Sequence, residues 1–203
     1  ISSTVSADAQ YKLAYEHLHA GRYEQGFRLF EYRWHPDIVA KQAVPYAPTF
    51  PHIPVWRGEP LMGKSITVQM EQGFGDIIMF ARFLPALKAL GAKQVVVLQE
   101  GTLHHLLGQI TSVDVFSNST EEGIASQSDY WIGSMSLPYY ISLSHPLVKA
   151  MFPVNDKKII GSEGYLHAIP SNIPPKIGVN WEASKQTLYY IKSIDMREME
   201  KLV

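Results

Sequence analysis

A chain of 203 residues, with a hydrophobic fraction of 46% and a charged fraction of 18%, has the composition of an ordinary globular protein. Its formal net charge of -1 gives no electrostatic argument for nucleic acid as a partner, and no apolar run approaches the ~18 residues of a membrane span. There is no cysteine, which excludes disulfides, thiolate metal sites and cysteine catalysis. This absence fits a reducing compartment, and we expect a cytoplasmic protein.

Residues 7–34 predict two short helices that are separated at Gly21-Arg22. Apolar side chains recur at helical spacing in both helices, at Tyr11, Leu13, Ala14 and Leu18 and again at Tyr23, Phe27, Phe30 and Trp34. Such a helix pair is the unit of helical repeat proteins, and one pair alone cannot bury its own apolar faces. We therefore expect residues 1–35 to pack either on upstream repeats or on the domain that follows.

Residues 36–60 predict a proline-rich linker. Its six prolines argue against regular helix and against most sheet. The aromatic residues Tyr46, Phe50 and Trp56 suggest that the linker is pinned on a surface.

From Leu61 onward, predicted strands alternate with predicted helices. The strands are at 65–70, 94–99, 113–116, 129–132 and 176–181, and the helices are at 75–90, 102–110 and 137–143. This alternation predicts an α/β fold over residues 61–170, a Rossmann-like parallel sheet with helices on both faces. Because Pro85 lies inside the first of these helices, we expect a kink or restart near Leu84.

The first strand and the first helix are joined by Glu71-Gln72-Gly73-Phe74-Gly75-Asp76. A strand, a Gly-x-Gly-Asp turn and a helix expose backbone N–H groups and set a carboxylate beside them, an arrangement that suits a polar ligand. The glycines could instead be simple turn residues, and Asp76 could serve the helix dipole or cap the helix. Glu71 and Gln72 could bind a ligand or anchor the loop by hydrogen bonds. No metal site is expected, because adjacent histidines point to different helix faces.

Several fragments, in this order along the chain, together resemble a known group of proteins. They are Ala20-Gly21-Arg22-Tyr23-Glu24-Gln25-Gly26-Phe27, Glu31-Tyr32-Arg33-Trp34, Trp56-Arg57-Gly58-Glu59-Pro60-Leu61-Met62-Gly63-Lys64, the glycine loop 71–76, Phe80-Ala81-Arg82-Phe83-Leu84-Pro85, Ser136-Leu137-Pro138, Gly164-Tyr165-Leu166 and Lys176-Ile177-Gly178-Val179-Asn180-Trp181. The chain resembles the glycosyltransferase-like region that follows tetratricopeptide repeats in many bacterial proteins. That region is similar to glycosyltransferase family 9, the lipopolysaccharide heptosyltransferases.

The resemblance implies the N-terminal lobe of a glycosyltransferase B fold, preceded by the last tetratricopeptide helix pair. Such enzymes invert at the anomeric carbon and need no metal and no cofactor beyond a sugar nucleotide as donor substrate. The aspartate of their glycine loop is the general base, and it matches Asp76 here. By the same resemblance, Glu71, Gln72, Gly73, Phe74 and Gly75 would bind the acceptor, which could be a glycan, a lipid or a protein.

The resemblance also implies a second, donor-binding lobe, of which residues 171–203 would be only the start. Lys185 and Lys192 are its candidate phosphate contacts, although Trp181-Glu182-Ala183-Ser184 departs from the Trp-Ala-Gly run of the family. The chain opens without Met and stops after one strand of this lobe, so we expect an excised or processed piece that does not catalyse transfer alone. We also expect the apolar strand from Ile177 to Trp181 to promote self-association.

Two non-catalytic alternatives stay open. In one, the Rossmann-like domain keeps a sugar or nucleotide pocket without turnover. In the other, the helix pair extends a repeat array and binds a protein partner. For the second alternative, the question is whether Tyr15, Tyr23 and Phe27 pack on the sheet domain or lie exposed, because full packing within the chain would count against a partner surface.

Overall fold

The computed structural model describes residues 5–41, 50, 52–99, 101–118, 123, 127–143, 154–155 and 158–159, all of them in the first of two compact units, Ile1–His167 and Ala168–Val203. The α-helices are α1 (Ala7–His19), α2 (Tyr23–Phe30), α3 (Pro36–Val39), α4 (Phe74–Ala81), α5 (Leu84–Ala89), α6 (His104–Leu107) and α7 (Leu137–Leu143). The strands are β1 (Ser65–Gln69), β2 (Gln94–Leu98), β3 (Val115–Ser117), β4 (Tyr130–Gly133), β5 (Val154–Asn155) and β6 (Lys158–Ile159). Short 3-10 turns cover Glu31–Trp34, Gly101–Leu103 and Ser134–Ser136.

The N-terminal helix pair forms as predicted, with the break at Gly21-Arg22. Gly21 has φ 74, a left-handed conformation that glycine adopts without steric cost at the end of a helix. The two helices meet closely at Gly26, where an added Cβ would lie 2.7 Å from Leu18 Cδ2. Leu13 was wrongly assigned to the buried face: its side chain is exposed, because Ala14 and Leu18 turn toward α2 instead.

The helix pair packs on the sheet domain, one of the two neighbours that we considered. Phe27 belongs to the same buried cluster as the sheet residues Val68 and Ile132, and its ring meets Phe80 of α4 edge to face at 6.0 Å. Tyr23 packs against this cluster from the side. The apolar face of α2 is therefore buried within the chain.

The prediction of a linker without regular helix was wrong for its first residues, which form α3. Proline opens the single helical turn α3, because at the first helical position its missing N–H costs no hydrogen bond. Further along, the Trp131 N–H donates to Pro54 O at 3.1 Å and the Trp56 N–H donates to Trp131 O at 2.8 Å. The segment thus attaches to β4 by one isolated parallel bridge, through Val55.

An all-parallel sheet with the order β3-β2-β1-β4 forms the centre of the domain. β1 pairs with β2 from Ser65↔Gln94 to Gln69↔Leu98 and with β4 from Ile66↔Tyr130 to Gln69↔Gly133. The chain therefore has an α/β fold, as predicted. The restart at Leu84 is confirmed as well, since α4 ends at Ala81 and Pro85 lies in the first turn of α5.

Successive residues of each strand point to opposite faces of the sheet and so contribute to two separate hydrophobic cores. The larger core unites one face of the sheet with the helices, and it includes Ile66, Val68, Val95, Val97, Ile132, Phe80, Leu84 and Leu87. On the other face, Leu98 and Trp131 pack with Phe50 and Ile53 of the proline-rich segment. The expectation that this segment is pinned through its aromatic residues is confirmed for Phe50 and Trp56, while Tyr46 lies outside the described residues.

Asp129 ties two strands together at the amino edge of the sheet, opposite the glycine loop. Its carboxylate accepts hydrogen bonds from the Ser65 N–H at 2.8 Å and the Ser65 hydroxyl at 2.9 Å, and it pairs with Lys64 Nζ at 3.0 Å. These contacts, led by the Ser65 N–H, lower the pKa of Asp129 from 3.8 to about 2. Asp129 is thus a structural residue of the sheet.

The lowered pKa of Asp129 predicts a pH-dependent stability difference. Because its folded pKa lies below its unfolded value, the carboxylate stabilises the fold above about pH 4, and this contribution is lost as the pH falls toward 2. We expect Asp129→Asn to lower the midpoint of thermal unfolding by about 2–4 °C at pH 5, since the group is partly exposed. Melting curves near pH 2, where Asp129 is about half protonated in the folded protein, should show a clearly smaller difference than at pH 5; a constant difference would contradict the assignment.

Candidate functional site

The glycine loop lies at the carboxyl edge of the sheet, between β1 and α4. Gly73 caps α4 without a side-chain hydrogen bond, and Gln72 before it has φ 65, a left-handed conformation that is uncommon for residues with a side chain. Gln72 and Phe74 are exposed, and Phe74 is 54% accessible. In open parallel sheets, this edge is where ligands bind.

Neither glycine of the loop is required by the packing of the chain. A Cβ added to Gly75 would meet nothing within 4 Å, and one added to Gly73 would only reach ordinary contact with Asp76 Oδ2 at 3.8 Å. Neither residue has a positive φ. The fold therefore leaves the backbone of this loop open to approach from outside.

Asp76 lies in the first turn of α4 and borders a cavity of about 390 Å³ between the helix pair and the sheet domain. The wall from the helix pair consists of Tyr15, Leu18, Tyr23, Phe27 and Phe30. The opposite wall includes Gln72, Met79, Arg82, Phe83 and Met135. Asp76 is the carboxylate among these lining residues, and the volume is within the range of small-molecule sites.

The Glu71 carboxylate, in contrast, is buried and takes part in an ion pair. Arg33 Nε donates to Glu71 Oε1 and Arg33 Nη2 donates to Oε2, both at 3.0 Å. The Met135 N–H also donates to Oε2 at 3.0 Å, and the Glu71 N–H donates to Ser134 Oγ at 3.2 Å. Of the two roles that the sequence left open for Glu71, these contacts favour the anchoring of the loop.

The Arg33 guanidinium is the centre of this buried cluster. Its Nη1 donates to Glu31 Oε1 at 2.7 Å, and its Nη2 donates to Ser136 Oγ at 2.6 Å. Burial alone would lower the pKa of Arg33, but the carboxylates of Glu71 and Glu31 outweigh burial and raise it. The cluster joins the end of the helix pair to the loops that follow β1 and β4.

Sequence reasoning missed this role of Arg33. Its partners Glu71 and Ser136 lie 38 and 103 residues away along the chain, so that no local pattern connects them. The only local signal is that Arg33 is a charged residue between the aromatic residues Tyr32 and Trp34. In the folded chain, the Arg33 side chain is buried.

A second cavity of about 280 Å³ lies beside the cluster and was not predicted either. It is lined by Glu31, Trp34, Val55, Arg57, Trp131, Gly133, Ser136 and Tyr140. Burial and the nearby Glu31 carboxylate raise the pKa of Tyr140 to about 12. The Trp34 and Trp131 rings meet edge to face at 5.8 Å, a favourable packing of two aromatic side chains.

Arg82 also lines the larger cavity, and its Nε donates to Met79 O at 2.8 Å. Lys185, Lys192 and the segment from Ile177 to Trp181 lie outside the described residues. In the described part of the chain, no cluster of three or more His, Asp or Glu side chains could hold a metal ion. Nor does any helix there combine the length and apolar character needed to cross a membrane.

Comparison with known proteins gives a similarity over part of the chain. The chain is 40% identical to Protein FlbA of Caulobacter vibrioides over 74 residues, which is 35% of this chain and 11% of that protein. The chain thus spans about a tenth of the length of this curated relative. No protein-family model matches the chain, and no solved structure matches it significantly.

Proposed function

We propose that this chain is the acceptor-side, Rossmann-like lobe of a glycosyltransferase-like protein, preceded by a tetratricopeptide-like helix pair. The observation that carries the proposal is the position of Asp76, beside an open glycine loop and a cavity of about 390 Å³ at the carboxyl edge of a parallel sheet. The strand order β3-β2-β1-β4 supports it, because it equals the first four strands of the doubly wound nucleotide-binding sheet.

In the proposed reaction, Asp76 removes the proton from an acceptor hydroxyl as that oxygen attacks the anomeric carbon of a sugar nucleotide. The glycosidic bond forms while the bond to the diphosphate breaks, and the nucleoside diphosphate leaves with the electron pair. The transfer needs no metal in this proposal. The donor would be held by a second lobe, with Lys185 and Lys192 as candidate phosphate contacts.

Substitution of Asp76 tests this proposal in the full-length natural protein. A panel of nucleoside diphosphate sugars is supplied with glycan, lipid and peptide acceptors, and release of nucleoside diphosphate is measured with and without EDTA. We expect Asp76→Asn to slow release about 100-fold or more, because a general base contributes at least that much. EDTA should have no effect.

Asp8→Asn is the matched control, since Asp8 is also a first-turn aspartate but lies on α1, away from the cavity. It should release diphosphate at the unchanged rate. Full turnover by Asp76→Asn, or no turnover by the natural protein with any donor, would contradict the proposal.

A binding module without turnover is the second candidate, and the predominantly apolar lining of the cavity favours it. Such a module would bind a sugar or a sugar nucleotide with equal affinity before and after Asp76→Asn. Equal affinity together with no release of diphosphate would support this candidate over the transferase.

A further inference from the structure

The cavity beside Asp76 is polar at the end formed by the glycine loop, and most of its other lining residues are apolar. Asp76 and Phe80 are four residues apart on α4 and so lie on the same face of that helix, and Phe83, which precedes α5, lines the same cavity. The end of the cavity at the glycine loop therefore offers a hydrogen-bond acceptor, and the aromatic residues beyond it offer apolar contact.

The helix pair lines the facing side with aromatic and aliphatic residues. Phe27 and Phe30 are buried, but Tyr15 at the rim is 51% exposed and Met79 across from the helix pair is 44% exposed. Apolar side chains that remain exposed on two facing elements have unfavourable hydration, which a ligand with an apolar body would remove.

From these features we infer that the cavity binds a hydroxyl compound with an apolar body, with the hydroxyl group at Asp76 and the body between the helix pair and α4. The inference rests on the proposed function for the identity of the site and adds the class of acceptor. It also gives the helix pair a role, because this pair forms one wall of the acceptor pocket.

Two simple glucosides test the inference with the chain as it is. Octyl β-D-glucopyranoside, kept below its micelle concentration, and methyl β-D-glucopyranoside share a sugar and differ only in their apolar part. Calorimetric titration should show one octyl glucoside per chain, bound roughly tenfold or more tighter than the methyl glucoside, because each buried methylene increases affinity.

Exposed rim residues provide variants that should keep the fold. Tyr15→Ala and Met79→Gln are each expected to weaken octyl glucoside binding by about threefold to tenfold. Leu13→Ala is the matched control, because Leu13 lies on the same helix as Tyr15 with 42% exposure but does not line the cavity. It should bind octyl glucoside with unchanged affinity.

Equal affinity for the two glucosides, no binding of either, or octyl glucoside binding that ignores Tyr15 and Met79 would overturn the inference. Failure of this inference and failure of the proposed function give different results. An octyl preference that depends on the rim, together with diphosphate release that ignores Asp76→Asn, would remove the transferase reaction and keep the pocket. Diphosphate release that depends on Asp76, without any octyl preference, would remove only the inferred acceptor class.

Discussion

Arg33→Met is expected to lower the free energy of unfolding by about 3–5 kcal/mol, as is typical when one partner of a buried ion pair is removed. The Arg33 side chain is 4% exposed, and its guanidinium donates hydrogen bonds to the carboxylates of both Glu71 and Glu31. In the variant, these two carboxylates would lose the cation that pairs with both of them. Urea unfolding followed by tryptophan fluorescence measures the loss.

The double variant Arg33→Met/Glu71→Met separates a lost charge pair from lost packing. Methionine fills a similar volume without charge, so the double variant should be more stable than Arg33→Met alone, although Glu31 and Ser136 still lose a donor. Two additive losses would contradict the pairing. Arg28→Met is the control, because Arg28 is exposed on the neighbouring helix α2 and should change stability by at most about 0.5 kcal/mol.

The same cluster explains why the helix pair and the sheet domain act as one folded unit. Arg33 follows the helix pair, whereas Glu71 and Ser136 follow β1 and β4. A helix pair in a helical repeat protein packs on a neighbouring repeat. Here its apolar face meets α4 and its last turn is tied to the loop that carries Asp76. The helix pair therefore supports the candidate site directly.

The elements predicted from the sequence are those that local signals define. The break between α1 and α2 follows from Gly21, the restart of α5 follows from Pro85, and the strands follow from runs of β-branched residues. The predicted helix 102–110 was too long, since α6 has only four residues and ends before Gly108. Helix ends of this kind depend on tertiary packing that a single sequence does not contain.

The candidate site could be predicted only in part. The glycine loop and Asp76 stand out locally, because a strand and an amphipathic helix flank them. The pairing of Glu71 with Arg33 did not stand out, since it connects residues from different predicted domains. The cavity was not predictable for the same reason: its two walls come from segments that are 42 residues or more apart along the chain, the separation of Phe30 and Gln72.

Gly133→Ala is expected to be the most damaging of the glycine substitutions at this edge, with a loss of about 3 kcal/mol, the upper range for overpacking. Gly133 ends β4 with an ordinary φ of -75, so its need for glycine is steric rather than conformational. An added Cβ would collide with the Glu71 carboxylate, 2.8 Å from its Cδ, and would lie 2.9 Å from Trp34 Cζ2. The carboxylate cannot retreat easily, because Arg33 and the Met135 N–H hold it by hydrogen bonds.

Thermal or urea unfolding of two further proteins completes the test of Gly133. Gly75→Ala serves as the stability control: its Cβ has open space, and alanine is the better helix former, so we expect unchanged or slightly higher stability. In a Glu71→Ala background, Gly133→Ala should cost less, since the carboxylate, whose atoms lie nearest to the new methyl group, is then gone. An equal cost in both backgrounds would mean that the close approach of Gly133 to Glu71 is not what requires glycine at this position.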